Sequence, residues 1–189
     1  AAVCAGLFHR ERSGQGTHVE ASLLDFLFRT HEVNVEMHSL SGGAIQPHRS
    51  GSQSRAYAPV GYYRARDGYV SLVAPGAMWL TLCEALGQPP LASDPRFATN
   101  ELRSANLDAL VPIIEAWTGS FDGVDAVVAH CAKFRVAAAP VLSVAQAMRH
   151  PHMIERGTVR QVPDPILGEV TIAGQPIRVA GLAQHTGLP

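Results

Sequence analysis

Between residues 41 and 59 the chain reads SGGAIQPHRSGSQSRAYAP, and this run of Gly, Ser, Gln, Pro and Arg divides the rest into two parts. It carries neither the 3.6-residue nor the two-residue apolar period, so it predicts no helix or strand with a buried face. A connection of that length is usually either functional or a linker. The sequence on each side has to find its own core or pack against another surface.

The first part opens on AAVCAGLF, residues 1–8, an apolar helical segment with no initiating Met, no N-cap side chain and no charge in its first turn. That is the pattern of a helix already under way, so further sequence is expected before Ala1. The polar run His9-Arg10-Glu11-Arg12 closes this helix, and Ser13-Gly14-Gln15-Gly16 supplies glycines that stop it. Alternation in Thr17-His18-Val19-Glu20-Ala21 predicts a short strand. From Ser22 the apolar positions Leu23, Leu24, Leu27, Phe28, Val33 and Val35 predict one helix to about Ser39.

Beyond the loop, residues 61–64 and 69–74 are strand-like, and Arg66-Asp67-Gly68 between them predicts a hairpin, because Asp-Gly tolerates positive φ. Residues 77–87 (AMWLTLCEALG) keep a helical period that ends on Gly87, and Ser93-Asp94-Pro95-Arg96-Phe97 reads as a turn. Two more helices are predicted at 107–117 and 124–134. The first should begin or kink near Pro112, which has no backbone donor. An apolar run at 136–142, a helix from Ser143 to about His150, a tight piece at 151–157 and β segments at 158–162, 168–172 and 177–179 follow.

A chain of 189 residues with 47% hydrophobic and 16% charged side chains buries a sizeable core, which excludes disorder. A formal charge of -1 supplies no positive field for nucleic acid or an anionic membrane, so the expected partner is small. Cys4, Cys83 and Cys131 are odd in number and far apart, the usage of buried thiols in a reducing cytoplasm. No metal is expected: His31 and His38 are seven residues apart, not the four of a helical HExxH site, and Pro151 between His150 and His152 marks a turn. No G-x-S-x-G elbow is present. Gly51-Ser52-Gln53 is either a flexible surface loop or one whose small side chains let backbone N–H groups reach a substrate oxygen and stabilise charge there.

Several segments, in order, resemble the class III CoA transferase family. The opening His9 to Gly16 followed by Val19-Glu20-Ala21-Ser22-Leu23-Leu24-Asp25 is similar to the family's R-E-x-T-G-x-G-Q-x-V-x-x-S-x-x-D segment. Ala58-Pro59-Val60-Gly61-Tyr62-Tyr63, Asp67-Gly68-Tyr69-Val70, Trp79-Leu80-x-Leu82-Cys83-Glu84-Ala85-Leu86-Gly87, Asp94-Pro95-Arg96-Phe97-Ala98-Thr99-Asn100 and Arg103-x-x-Asn106 match its small domain. Ala139-Pro140-Val141, His150-Pro151-His152 and Arg156-Gly157-Thr158-Val159 continue the match, with His150 standing where the pattern has Asp.

The resemblance implies an α/β fold, with residues 1–60 as connecting elements of a Rossmann-like large domain, 61–142 as a small α/β domain and 143–189 as a return toward the large domain, in an interlocked homodimer. It implies coenzyme A as acyl carrier, with an acyl-CoA and a carboxylic acid as substrates. The family's nucleophilic aspartate, which forms an acyl anhydride and then an aspartyl-CoA thioester, is expected upstream of Ala1, so no catalytic residue is assigned here. Gly51, Ser52 and Gln53 fall at the family's substrate loop, and Pro75, Gly76 and Ala77 where the small domain touches CoA. The family's racemase branch carries a glutamate at the latter position; the absence of a carboxylate from residues 73–77 favours a transferase. A non-catalytic paralogue acting as a scaffold is the remaining expectation.

Overall fold

The computed structural model describes residues 1–177; of the β segment expected at 177–179, all but Ile177 lies outside them. The chain divides after Arg49, within the Gly- and Ser-rich run, into Ala1–Arg49 and a second unit beginning at Ser50.

In the first unit, α1 (Ala2–Ser13) ends as its sequence dictates: Gly14 adopts φ 71° and its N–H donates to Arg10 O. The strand expected at 17–21 does not form, since among the described residues no strand pairs with it. The single helix expected over 22–39 is two, α2 (Leu23–Arg29) and α3 (Glu32–Leu40). Thr30 makes the break. Its Oγ1 donates to Leu27 O at 2.6 Å, occupying the carbonyl that His31 N–H would use in a continuing helix, and His31 N–H turns to Phe28 O instead. None of these helices contains a buried residue.

The second unit is built on an antiparallel sheet of β1 (Val60–Arg64), β2 (Tyr69–Val73) and β3 (Ala137–Pro140), in that order. Tyr63 faces Val70 across β1 and β2, and both are fully buried, as is Leu72. The hairpin is where its sequence puts it, but Gly68 does not take the positive φ expected of it. Asp67 turns away to accept the Val124 N–H at 2.8 Å, and the positive φ falls on Gly123, at 136°.

Four of the described helices belong to this unit's core region, α4 (Met78–Ala85), α5 (Asn100–Ala105), α6 (Leu107–Thr118) and α7 (Val124–Lys133), with α6 against β1 and α7 against β2 and β3. Gly87, at φ 69°, follows α4. The helix α5 has no apolar period and was not expected; Thr99 Oγ1 caps it by accepting the Leu102 N–H. Pro112 sits inside α6, which starts five residues earlier than the proline suggested. Residues 108 and 112 are both exposed, so the Asp108 carbonyl left without its N–H partner faces water. Trp79, Phe97, Leu82, Leu110, Ile114 and Val127 fill the core, with Trp79 and Phe97 edge to face at 6.2 Å. Each such side chain contributes about 1.5–3 kcal/mol by leaving water.

The chain continues through α8 (Val144–Ala147), opened by a capping box between Ser143 and Gln146, and α9 (Pro151–Glu155). The helix expected to reach His150 stops at Ala147, because Pro151 forces His150 into an extended conformation, ψ 125°. A separate hairpin of β4 (Val159–Asp164) and β5 (Gly168–Ala173) turns on Asp164, whose Oδ1 accepts the N–H groups of Ile166 and Leu167, both at 2.8 Å.

Candidate functional site

Gly51, Ser52 and Gln53 do not form a free loop. Residues 52–54 run antiparallel to the outer edge of β1: Tyr62 N–H donates to Ser52 O at 2.9 Å, Ser54 N–H to Val60 O at 2.8 Å, and Gln53 bridges Gly61. The Gln53 carboxamide reinforces this, its Nε2 donating to Tyr62 O at 2.9 Å. Gly61 is what makes room: a Cβ there would overlap Gln53 Oε1 and lie 2.6 Å from Ser52 O. Gln53 Oε1 is buried and has no hydrogen-bond partner among the described residues. Gly51 takes φ 68° with open space where a side chain would be, and Gly51 and Ser52 are exposed, which leaves their backbone approachable.

Pro75, Gly76 and Ala77 follow the last residue of β2, Val73, which pairs with Val60. Gly76 has φ 59° and an open face, and Gly76, Ala77 and Met78 are exposed. The helix α4 starts here with no side-chain cap, and the N–H groups of Met78, Trp79 and Leu80 close a tight first turn onto Pro75 O, Gly76 O and Ala77 O at 3.1–3.3 Å. Gln53 is opposite Gly61 and Gly61 opposite Leu72. Two strand spacings across and three residues along therefore separate Gln53 from Pro75, on the order of 10–15 Å. Ser52 and Gly51 lie further from Pro75, level with Ser71 and Val70 along the sheet, so 51–53 runs beside the middle of the outer strand and 75–77 beyond the end of β2.

A third group was named in the sequence without a role. Asn100 and Arg103, on α5, grip the chain between Ser54 and β1. Asn100 Oδ1 accepts the Ala58 N–H and its Nδ2 donates to Ala56 O, both at 3.0 Å. Arg103 is only 3% exposed. Its Nε donates to Ala58 O at 2.7 Å and its Nη1 to Phe97 O at 2.9 Å, and its guanidinium lies 5.3 Å from the centre of the Trp79 ring. Among the described residues it makes no ion pair, and burial lowers its pKa. Asn106 Nδ2 donates to Arg96 O at 3.2 Å, while Arg96 forks onto the Asp94 carboxylate, holding that carboxyl below its ordinary pKa. The sequence signals for this clamp are the family-like segments that hold Asn100 and Arg103 and the three-residue spacing that puts both on one face of a helix.

Elsewhere, His31, His38 and His48 line a cavity of about 640 Å³ with Arg49 in the first unit. His38 Nδ1 and His48 Nδ1 are bonded to backbone carbonyls of Ile45 and Gln46. Among the described residues no three His, Cys, Asp or Glu side chains are grouped to hold a metal. No described helix is long and apolar enough to cross a membrane.

Comparison with known proteins gives this arrangement a context. The family model for CoA-transferase family III matches residues 1–188. The succinyl-CoA:mesaconate CoA-transferase of Haloarcula hispanica is 34% identical over 179 residues, 94% of this chain and 44% of the relative. The acetyl-CoA:oxalate CoA-transferase of Acetobacter aceti is 30% identical over 181 residues, 95% of this chain and 44% of the relative. Among solved structures, a CAIB/BAIF family protein from Brucella suis superposes with a TM-score of 0.73 at 29% identity, covering 98% of this chain and 47% of that one. Rv3272 from Mycobacterium tuberculosis superposes at 0.76 and 25% identity, covering 96% and 46%. This chain thus spans a little under half the length of the relatives it matches. The motif order and the match over nearly every residue agree: the chain belongs to CoA-transferase family III.

Proposed function

We propose that residues 1–189 are the C-terminal portion of a cytoplasmic enzyme that moves CoA between an acyl-CoA and a free carboxylic acid through an aspartyl-CoA intermediate. The observation that carries the reading is the pair of open segments, 51–53 along the outer edge of β1 and 75–77 beyond the end of β2, on one sheet. In this reading the exposed backbone at Gly51 and Ser52 faces the reacting thioester carbonyl and donates N–H groups to the oxyanion that develops there. The exposed turn of Pro75, Gly76 and Ala77, with its open face at Gly76, touches CoA. The nucleophilic aspartate is supplied from outside these residues, so the 189-residue chain alone is inactive.

The same reading divides the protein into connecting elements at 1–60, a small domain at 61–142 and a return segment at 143–189. It assigns the apolar surface of the first helices to an interface with a second copy or with the N-terminal half of the protein. Leu23 is 84% exposed and Phe26 68%. Neighbouring apolar side chains left in water on that scale mark an interaction surface.

The test is a CoA-exchange assay on the complete polypeptide encoded by the gene. The relatives' names supply the donors and acceptors: succinyl-CoA and acetyl-CoA against mesaconate, D-citramalate and oxalate. Transfer of CoA to at least one acid is expected, with a mass increment of enzyme-bound CoA after quenching. Exchange of an α-proton without CoA transfer would replace the reading with a racemase, and neither activity would favour a scaffold.

A further inference from the structure

The connection from Gly51 to β1 is a hairpin held in two places by two different devices. At its base, residues 52–54 pair with 60–62 through Tyr62 N–H to Ser52 O and Ser54 N–H to Val60 O. At its tip, residues 56–58 have no strand beside them among the described residues, and side chains take the place of one. Asn100 offers Ala58 N–H an oxygen and Ala56 O an N–H, the pattern that a neighbouring strand would present. Arg103 completes the grip by donating to Ala58 O.

Arg103 is the unusual member. A buried guanidinium is normally matched with a carboxylate, because burial strips the charge of water. Here its donors go to two carbonyls, Ala58 O and Phe97 O, and to the face of Trp79. Those contacts tie three pieces of the second unit to one side chain: the hairpin tip, the turn after Ser93 and the helix α4, which begins just beyond Gly76 and Ala77. A neutral apolar side chain could fill the volume. It could not hold the Ala58 carbonyl in one position relative to the start of α4.

We propose that Asn100 and Arg103 are positioning residues that fix the Gly51-Ser52-Gln53 loop relative to the Pro75-Gly76-Ala77 loop, and so set the register between the reacting carbonyl and the bound CoA. The inference rests on the assignment of those two loops made under the proposed function. Neither side chain touches substrate. Their effect passes through the Ala58 backbone to Val60 and from Val60 to Ser54, so loosening the tip releases the outer strand of the hairpin. Misplacement on the scale of an ångström costs an enzyme rate more than affinity, because only the transition state demands the exact geometry.

Two substitutions test this. Asn100→Asp keeps the acceptor for Ala58 N–H and removes the donor to Ala56 O. Arg103→Lys keeps the charge and loses the fork between Ala58 O and Phe97 O. Amide hydrogen exchange in the 189-residue chain should rise at least tenfold at Ser54 and Tyr62 in both variants, with the amide of Val127 in α7 unchanged. In the complete enzyme kcat should fall at least tenfold, with KM for acyl-CoA within about threefold of the parent. If Arg103→Lys also exposes Val127, its fold is lost and Asn100→Asp decides alone. Unchanged exchange at Ser54 and Tyr62, or a raised KM with kcat intact, would overturn the proposal. A parent enzyme that transfers no CoA would sink the functional reading instead, and the exchange measurement would still show whether the clamp holds the hairpin.

Discussion

Gly123 and Asp67 show how much one residue can be bound to another far away in sequence. Gly123 sits at φ 136°, and a Cβ on it would lie 2.7 Å from Asp67 Oδ2. Gly123→Ala should therefore cost about 1–3 kcal/mol in urea unfolding, from backbone strain and from displacing the carboxylate that accepts the Val124 N–H. In an Asp67→Ala background the same change should cost less, because the clash is gone. The cysteines give a second test. Burial pushes the Cys83 and Cys131 thiols from 9.0 up to about 11, while Cys4 is exposed. In the folded chain at pH 8 a thiol reagent should label Cys4 fast, and the other two only in denaturant. The folded state keeps those two protons longer than the unfolded state does. Their contribution is accordingly complete below pH 9 and is lost as pH climbs from 9 to about 11; a stability unchanged over that range would contradict their burial. Apolar neighbours made all three thiols read as buried, which holds for Cys83 and Cys131 and fails for Cys4, whose helix contains no buried residue. The sequence could not reveal that Asp67 caps a helix 57 residues later, since nothing local to Asp-Gly encodes that distance.

At the scale of elements, local punctuation was the part most readable in advance. Gly14 and Gly87 end helices as glycines at C′ should, and the register of the hairpin follows from alternation of Tyr63, Val70 and Leu72. The misreadings have separate causes. Thr30 breaks one helix by taking the Leu27 carbonyl. The helix α6 runs through Pro112 because its lost bond faces solvent while Leu107, Leu110 and Ile114 bury the opposite side. Pro112→Ala should restore a donor and a better helix former, raising stability by about 1–2 kcal/mol after allowing for the freer unfolded chain. A shift of the urea midpoint to lower concentration would show that the proline is tolerated for some reason other than exposure of its face. The helix α5, which carries Asn100 and Arg103, was invisible to periodicity because its six residues, NELRSA, bury a charged side chain rather than an apolar stripe.

For the whole molecule, the family was legible in the order of many weak motifs, whereas the candidate site rests on two short segments whose places on the sheet no local pattern encodes. The first unit, with no buried side chain of its own, predicts association. Sedimentation of the 189-residue chain at micromolar concentration should give a dimer or larger species, and a monomer with α1 to α3 ordered would argue against the assigned interface. Burial of that surface would return about 25 cal/mol for each Å² of apolar area. The central claim, that this chain carries binding and positioning elements but not the nucleophile, is tested most directly by following CoA exchange between acyl-CoA and carboxylates in the pure 189-residue chain. No turnover above background is predicted, at concentrations where the complete polypeptide turns over readily; sustained exchange by the 189 residues alone would show that the nucleophile lies within them.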